Sequence, residues 1–121
     1  MDMSNVNDND KRKVLCGANA YEQKYYFNSA EFGNLPDDIK DELHIIAVLF
    51  TEEVGGIFTI VIEEDGGISF DTRAADDDIY YDDISSGLLI SQIRNNKREL
   101  FESISLYYRV FFLHEKIEGL D

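Results

Sequence analysis

Apolar residues recur with helical spacing over four segments of the chain, and the second segment shows this most clearly. One face of it carries an apolar residue at every third or fourth position: Ile39, Leu43, Ile46 and Phe50. Pro36 precedes the stripe and suits the first turn of a helix, and acidic residues follow where the helix dipole favours negative charge. A helix is therefore predicted at about 36–50, ended by Gly55 and Gly56.

The C-terminal part of the chain carries a longer helical pattern. Its apolar residues keep helical spacing throughout: Ile84, Leu88, Leu89, Ile93, Leu100, Ile104, Tyr107 and Phe111. An unbroken helix over this stretch would measure roughly 48 Å at a rise of about 1.5 Å per residue, which is long for a small domain. Asn95 and Asn96 interrupt the pattern. We therefore predict two helices, at about 82–95 and 97–113.

The segment at about 13–27 has two interpretations. A helix is indicated by five apolar residues that fall on one helical face: Val14, Leu15, Ala18, Tyr21 and Tyr25. Gly17 weakens this interpretation. A strand from Tyr21 to Phe27 is the alternative, because aromatic residues favour strands and alternate there with other side chains. The helix is the prediction adopted.

A β-hairpin is predicted at about 56–74. A two-residue turn at Asp65-Gly66 would mix apolar and charged side chains on one face. A three-residue loop at 65–67, with Gly67 in the left-handed conformation, makes one face apolar. The predicted partners are Ile62 with Phe70, Ile60 with Thr72, and Phe58 with Ala74. Helices should cover this apolar face, and the opposite face should be wet or covered by a partner.

These elements predict a two-layer α+β fold. The hairpin at about 56–74 is expected to pack on one face against helices at about 13–27, 36–50, 82–95 and 97–113. Since 121 residues suit one domain of ordinary size, residues 13–121 are predicted to form a single α+β domain. Residues 1–12 are predicted to be a disordered polar tail.

Charge and composition narrow the classes of function. The formal net charge of −14 argues against direct binding to nucleic acid or to anionic membranes, both of which need basic residues. The longest apolar run, Leu43 to Phe50, is far shorter than the roughly 20 residues that span a bilayer. The first residues lack the pattern of a signal peptide, and Cys16 is the only cysteine. We expect a cytoplasmic protein without a bound cofactor.

The sequence "ADDDIYYDD" places five aspartates within nine residues, Ala75 to Asp83. An EF-hand loop beginning at Asp76 would need a glycine at its sixth position and a glutamate at its twelfth, where this chain has Tyr81 and Gly87. The prediction is a solvated loop with Asp82 and Asp83 at a helix N-terminus. A divalent-cation site formed by the Asp76–Asp83 cluster is the alternative.

Few residues could support catalysis. The chain has Cys16, His44 and His114, and it has none of the common catalytic or phosphate-binding motifs. A Cys16–His44 dyad would make the protein a small enzyme, but a buried cysteine beside a packed histidine is the prediction. The basic residues Arg94, Lys97 and Arg98 are interpreted as a salt-bridged helix surface and not as a phosphate site.

The C-terminal helix carries a candidate interaction surface. One apolar stripe contains Tyr107 and Phe111, and a second stripe contains Tyr108 and Phe112. Either the N-terminal helix covers the second stripe, or a homodimer or partner protein does so. The predicted function is therefore a non-enzymatic protein-interaction or regulatory module, acting alone or as a homodimer.

Three segments resemble a family of small uncharacterised bacterial proteins that is classed as a domain of unknown function. They are "LCGANAYEQKYYFN", "LPDDIKDELHIIAVLFTEEVGGIFTIVIEEDG" and "ELFESISLYYRVFF". The resemblance covers nearly the whole chain after the polar tail. It implies a bacterial cytoplasmic protein, and it implies no activity, cofactor or binding residue.

Overall fold

The computed structural model describes residues 11–116, in which four strands form one antiparallel sheet and four segments are helical. The strands are β1 (Lys13–Asn19), β2 (Lys24–Phe27), β3 (Ile57–Ile62) and β4 (Ile68–Arg73). The helices are α1 (Ser29–Phe32), α2 (Asp37–Val54), α3 (Asp83–Asn96) and α4 (Arg98–Phe111). The fold is α+β, as predicted, and the strand order is β2-β1-β3-β4. The predicted tail lies outside the described residues as far as residue 10.

The helix predicted at 13–27 is wrong, because this segment forms the hairpin β1–β2. A bulge in β1 explains the misleading pattern: Val14 pairs with Val61 and Cys16 with Ile60, so that Leu15 is an extra residue. Leu15 and Cys16 are consequently both buried. Two adjacent buried residues break the alternation by which a strand is recognised.

The turn between β1 and β2 also lacks the usual signals. It consists of Ala20 to Gln23, without glycine or proline, and Gln23 has a φ of 53°. Asn19 stabilises the turn, because its side-chain oxygen accepts hydrogen bonds from the backbone N–H groups of Tyr21 and Glu22, at 2.9 and 3.2 Å. The alternative interpretation of Tyr21–Phe27 as a strand is therefore correct for its second half, β2.

The hairpin β3–β4 is confirmed, but its register differs from the prediction by two residues. Ile60 pairs with Phe70, and Phe58 pairs with Thr72. The turn lies one position earlier than predicted: the N–H of Glu63 donates to the carbonyl of Gly67, and Gly66, with a φ of 95°, is the left-handed residue. A shift by two residues leaves every side chain on its predicted face.

The three later helices are confirmed. Pro36 is the N-cap of α2, and Gly55, with a φ of 86°, ends that helix. The predicted break near Asn95 falls at Lys97, which separates α3 from α4.

The core lies between the helices and one face of the sheet. Phe58 and Ile60 of β3 point into it, and the Phe58 ring stacks on Phe50 of α2 with the ring centroids 4.1 Å apart. Phe101 and Ile104 of α4 complete this layer. The packing buries the apolar face that the hairpin pattern predicts.

The opposite face of the sheet is crossed by one arginine. Arg12 forms ion pairs with Glu63, at 3.1 Å, and with Asp71 on β4, at 2.7 Å. Between these carboxylates, Val61 of β3 is only 4% exposed although it faces away from the core. The aliphatic part of an arginine can cover apolar surface in this way while its charged end is solvated.

Candidate interaction surface

The aromatic residues Tyr107, Tyr108, Phe111 and Phe112, predicted as an interaction surface, lie at the end of α4. Tyr108 is 4% exposed, and Phe112 is half-buried. Both rings pack against Phe32 of α1, with centroids 6.5 and 5.2 Å away. Phe111 is 64% exposed and Tyr107 is half-buried. The stripe is thus partly covered within the chain, by α1 and not by the N-terminal helix, which was one of the two alternatives left open.

Further exposed aliphatic side chains lie on α2 and on α3. Four of these side chains are more than half exposed: Ile45, Leu49, Ile84 and Leu88. Ile45 and Leu49 are one helical turn apart on α2, and Ile84 and Leu88 are one helical turn apart on α3. Between the helices, a groove of about 290 Å³ is lined by Leu49, Leu89 and Ile93 among others. We refer to the four exposed residues and this groove as the α2–α3 surface.

The helices of the α2–α3 surface run antiparallel. Lys97, just after α3, pairs with Glu42 near the start of α2 at 2.9 Å. At the other end, Tyr81, just before α3, has its ring packed against Gly56, just after α2. The end near Gly56 is therefore acidic, since Glu53 lies in the last turn of α2 and Asp83 begins α3. The opposite end carries the basic residues.

Those basic residues do not all form the salt-bridged surface that the sequence predicts. Lys97 has its carboxylate partner, Glu42. Arg94 lies instead over the ring of Phe70, with 4.6 Å between the guanidinium carbon and the ring centroid. Within residues 11–116, neither Arg94 nor Arg98 has a carboxylate oxygen within 4.0 Å. Arg94 and Arg98 thus have no salt bridge to any described residue of this strongly acidic chain.

The aspartate segment before α3 is held by hydrogen bonds within the protein. Asp78 accepts a hydrogen bond from the hydroxyl of Tyr21 at 2.6 Å, and others from the backbone N–H groups of Tyr80 and Tyr81. These donors, the Tyr21 hydroxyl foremost, lower the pKa of Asp78 below its usual value. The Tyr21 hydroxyl in turn accepts from the N–H of Ala75. The segment is therefore fastened to the β1–β2 turn.

Asp82 caps α3 as predicted. Its carboxylate accepts hydrogen bonds from the Ser85 hydroxyl and from the N–H of Ile84, and these lower its pKa. Within residues 11–116, no group of three or more histidine, cysteine, aspartate or glutamate side chains is arranged to hold a metal ion. The two aspartates with assigned contacts, Asp78 and Asp82, stabilise a turn and a helix start.

The candidate catalytic residues are not joined by a hydrogen bond in the described part of the chain. Cys16 is completely buried, and burial raises the pKa of its thiol to about 12, an effect that the Tyr25 hydroxyl partly offsets. His44 is exposed, and its ring stacks on that of Tyr25 with centroids 4.1 Å apart. A buried cysteine is what the sequence predicts, whereas the histidine is more accessible than predicted.

Sequence reasoning missed the α2–α3 surface, although a signal for it was present. On α2, Ile45 and Leu49 lie beside the stripe of Leu43, Ile46 and Phe50, so the apolar arc is wider than one sheet can cover. On α3, Leu89, Ile90 and Ile93 pack against the core, whereas Ile84 and Leu88 are more than half exposed, so one side of this helix is not used in the core. The width of an apolar arc was the available signal.

These features define an α+β protein with a helix-covered sheet and an apolar surface on the outside of its helical layer. Residues 12–116 match the family of unknown function DUF6145, and the chain belongs to that family. No curated protein and no solved structure matches the chain. None of the helices in the described region is both long and apolar enough to cross a membrane.

Proposed function

We propose that this protein is a non-enzymatic protein-interaction module, and that it binds its partner with the α2–α3 surface. The observation that carries the proposal is the exposure of Ile45, Leu49, Ile84 and Leu88 on two adjacent helices, at 57%, 55%, 75% and 62%. Single exposed aliphatic residues are ordinary, but here each of two packed helices carries an exposed pair, and a groove lined by Leu49 and Leu89 lies between the helices. Such a groove resembles those that bind amphipathic partners.

The magnitude of the apolar contribution fits a binding surface. Covering a largely exposed aliphatic side chain contributes about 1–2 kcal/mol, so the four residues together supply about 4–8 kcal/mol. Association costs at least about 4 kcal/mol in lost translational and rotational freedom. The four residues can therefore offset a substantial part of this cost, and polar contacts at the two charged ends of the surface would have to supply the rest.

The chemistry of the other candidate site supports a binding role over a catalytic one. A cysteine nucleophile needs an accessible thiolate. The thiol of Cys16 is buried and has a pKa of about 12, so it is protonated near neutral pH. His44 stacks on Tyr25, and among the described residues no hydrogen bond joins it to Cys16. An enzyme built on this pair would have to open the core first.

Photo-crosslinking tests the proposal. A photoreactive phenylalanine analogue is placed at Leu49, at Leu88 or, as a control, at Lys24, whose side chain is 75% exposed on β2. Each protein is irradiated in lysate of the cells that naturally make it. We expect discrete adducts from Leu49 and Leu88 but not from Lys24.

A second substitution shows whether the adducts report a real interface. Adding Ile45→Asp should abolish the adducts from Leu49, because an exposed apolar contact becomes a buried charge without a partner. Thermal melts of the same proteins show that they remain folded. Equal labelling at all three positions, or no adduct at either helix, would contradict the proposed function.

A further inference from the structure

We infer that the partner at the α2–α3 surface is a second copy of this chain, and that α3 packs antiparallel against α3 of that copy around a two-fold axis. This inference rests on the proposed function and names its partner. It is carried by three features of α3: its exposed face, its small residues and the positions of its charges.

The face of α3 that points away from the core is open. Ile84 is 75% exposed and Leu88 is 62% exposed, and Ser91 continues the same row one turn further on. Ser86 is the only buried residue of this helix of 14 residues. The face is therefore not needed for the fold of a single chain, and an apolar face of this kind is normally covered.

Small residues in the middle of α3 would allow a close approach. A Cβ atom added at Gly87 would meet no other atom within 4 Å, so space is open in front of it. Packed helices lie about 8–10 Å apart, and the smaller values require small side chains at the contact. In an antiparallel pair centred between Leu88 and Leu89, the register that sets position 83 opposite position 94, Leu88 lies beside the partner subunit's Leu88, and Gly87 lies within one turn of the two-fold axis.

The charges of α3 are self-complementary in this arrangement. Asp83 begins the helix and Arg94 lies in its last turn. They are 11 residues apart, which is close to three full turns, so both lie on the same flank. A two-fold axis across the helix pair places Asp83 next to the partner subunit's Arg94, and it does so twice. Among the described residues Arg94 has no carboxylate oxygen within 4.0 Å. Its guanidinium lies over the ring of Phe70, so pairing with the partner subunit's Asp83 requires it to turn away from that ring.

The net charge of the protein opposes association at long range, so the strength of dimerisation should depend on the salt concentration. Two copies each carry a formal charge of −14. At about 0.15 M salt, charges are screened beyond about 8 Å, whereas a pair in direct contact is screened much less. Dimerisation should therefore strengthen as salt is raised from about 0.01 M to about 0.15 M, because repulsion between the whole molecules weakens before the contact pairs do.

Sedimentation equilibrium of the full chain at about 0.15 M salt tests the inference. The wild-type protein should approach twice the monomer mass of 13.9 kDa as its concentration rises. Leu88→Asp should leave only monomer. Asp83→Arg should raise the dissociation constant about tenfold by placing two arginines together, and adding Arg94→Asp to it should restore most of the wild-type affinity.

A chemical crosslink gives a second measurement that does not depend on the charge variants. Ser91→Cys supplies one accessible thiol per chain, because the native Cys16 is buried. A short bismaleimide should then produce a covalent dimer, and Lys24→Cys, on β2, should not give one. Circular dichroism melts confirm that each variant is folded before it is scored.

The outcomes separate the inference from the proposed function. A monomer at all concentrations, or a dimer that survives Leu88→Asp and fails to crosslink through Ser91→Cys, overturns the inference. If the Leu49 photo-adducts then have the mass of another protein, the proposed function stands with a different partner. Loss of both the dimer and the photo-adducts overturns the two together.

Discussion

Two tyrosine hydroxyls differ in whether they have a hydrogen-bond partner. Replacing each tyrosine by phenylalanine should therefore change the free energy of unfolding in opposite directions. The hydroxyl of Tyr25 is buried next to the Cys16 thiol, a weak partner, and it makes no hydrogen bond of normal geometry among the described residues. The hydroxyl of Tyr81 donates to the hydroxyl of Ser86, which is 3% exposed, at 2.9 Å. Leaving a buried polar group unsatisfied costs about 1–3 kcal/mol, whereas deleting a group that is already unsatisfied removes that cost.

We therefore expect Tyr25→Phe to leave the free energy of unfolding unchanged or to raise it by about 1 kcal/mol, and Tyr81→Phe to lower it by about 1 kcal/mol. Urea denaturation measures both. The phenylalanine ring of the first variant can keep the stacking on His44, so loss of that contact does not confuse the result. A large destabilisation by Tyr25→Phe would mean that its hydroxyl has a partner.

At the scale of single elements, replacing either of two glycines by alanine should change the free energy of unfolding, and the two changes should have opposite signs. Gly66 has a φ of 95° in the β3–β4 turn, and an added Cβ would lie 2.8 Å from Cγ of Arg109. Gly87, in the middle of α3, faces open space. Left-handed backbone costs a residue with a Cβ about 1–2 kcal/mol, whereas glycine inside a helix is less stable than alanine by about 0.5–1 kcal/mol.

Gly66→Ala should accordingly lower the unfolding free energy by about 1–2 kcal/mol, and Gly87→Ala should raise it by about 0.5–1 kcal/mol. The measurement is urea denaturation at low protein concentration, where self-association does not contribute. If Gly67→Ala proved the more damaging change, the turn would have the position that sequence pairing predicts and not the observed one.

The elements that the sequence predicts correctly are those whose pattern is set within the element. α2 has a proline, acidic residues and a continuous stripe, and α3 is separated from α4 where two asparagines weaken the pattern. The β1–β2 hairpin was missed because its signals depend on neighbours. The bulge at Leu15 exists only when β3 pairs with β1, and the turn relies on the side chain of Asn19.

At the scale of the whole molecule, surfaces are harder to predict than elements. The sequence shows that α2 and α4 have wide apolar arcs, but it does not show which part the fold covers. Phe32, on the short helix α1, covers Tyr108 and Phe112, and nothing in the described chain covers Leu49 and Leu88 to the same degree. Which stripe remains open is decided by tertiary packing, which the spacing of apolar residues cannot specify.

The aspartate segment joins distant parts of the molecule, and this contact predicts a pH dependence. Asp78 accepts a hydrogen bond from the hydroxyl of Tyr21, which lies 57 residues earlier in the chain. Its pKa is lowered in the folded protein from the ordinary value of 3.8, chiefly by that hydroxyl. A lowered pKa stabilises the folded state above the unfolded value, and the contribution is lost as the pH falls through the folded value.

Asp78→Ala should therefore lower the melting temperature at pH 7, and the difference from the wild type should shrink as the pH falls below about 3.8. Asp77→Ala is the matched control, since this exposed neighbour accepts no hydrogen bond in the described region. Tyr21→Phe should reproduce part of the loss, and the two changes together should cost less than the sum of the single losses, because both remove the bond between Tyr21 and Asp78. Fully additive losses would mean that the two side chains act independently and that the segment is not fastened through this contact.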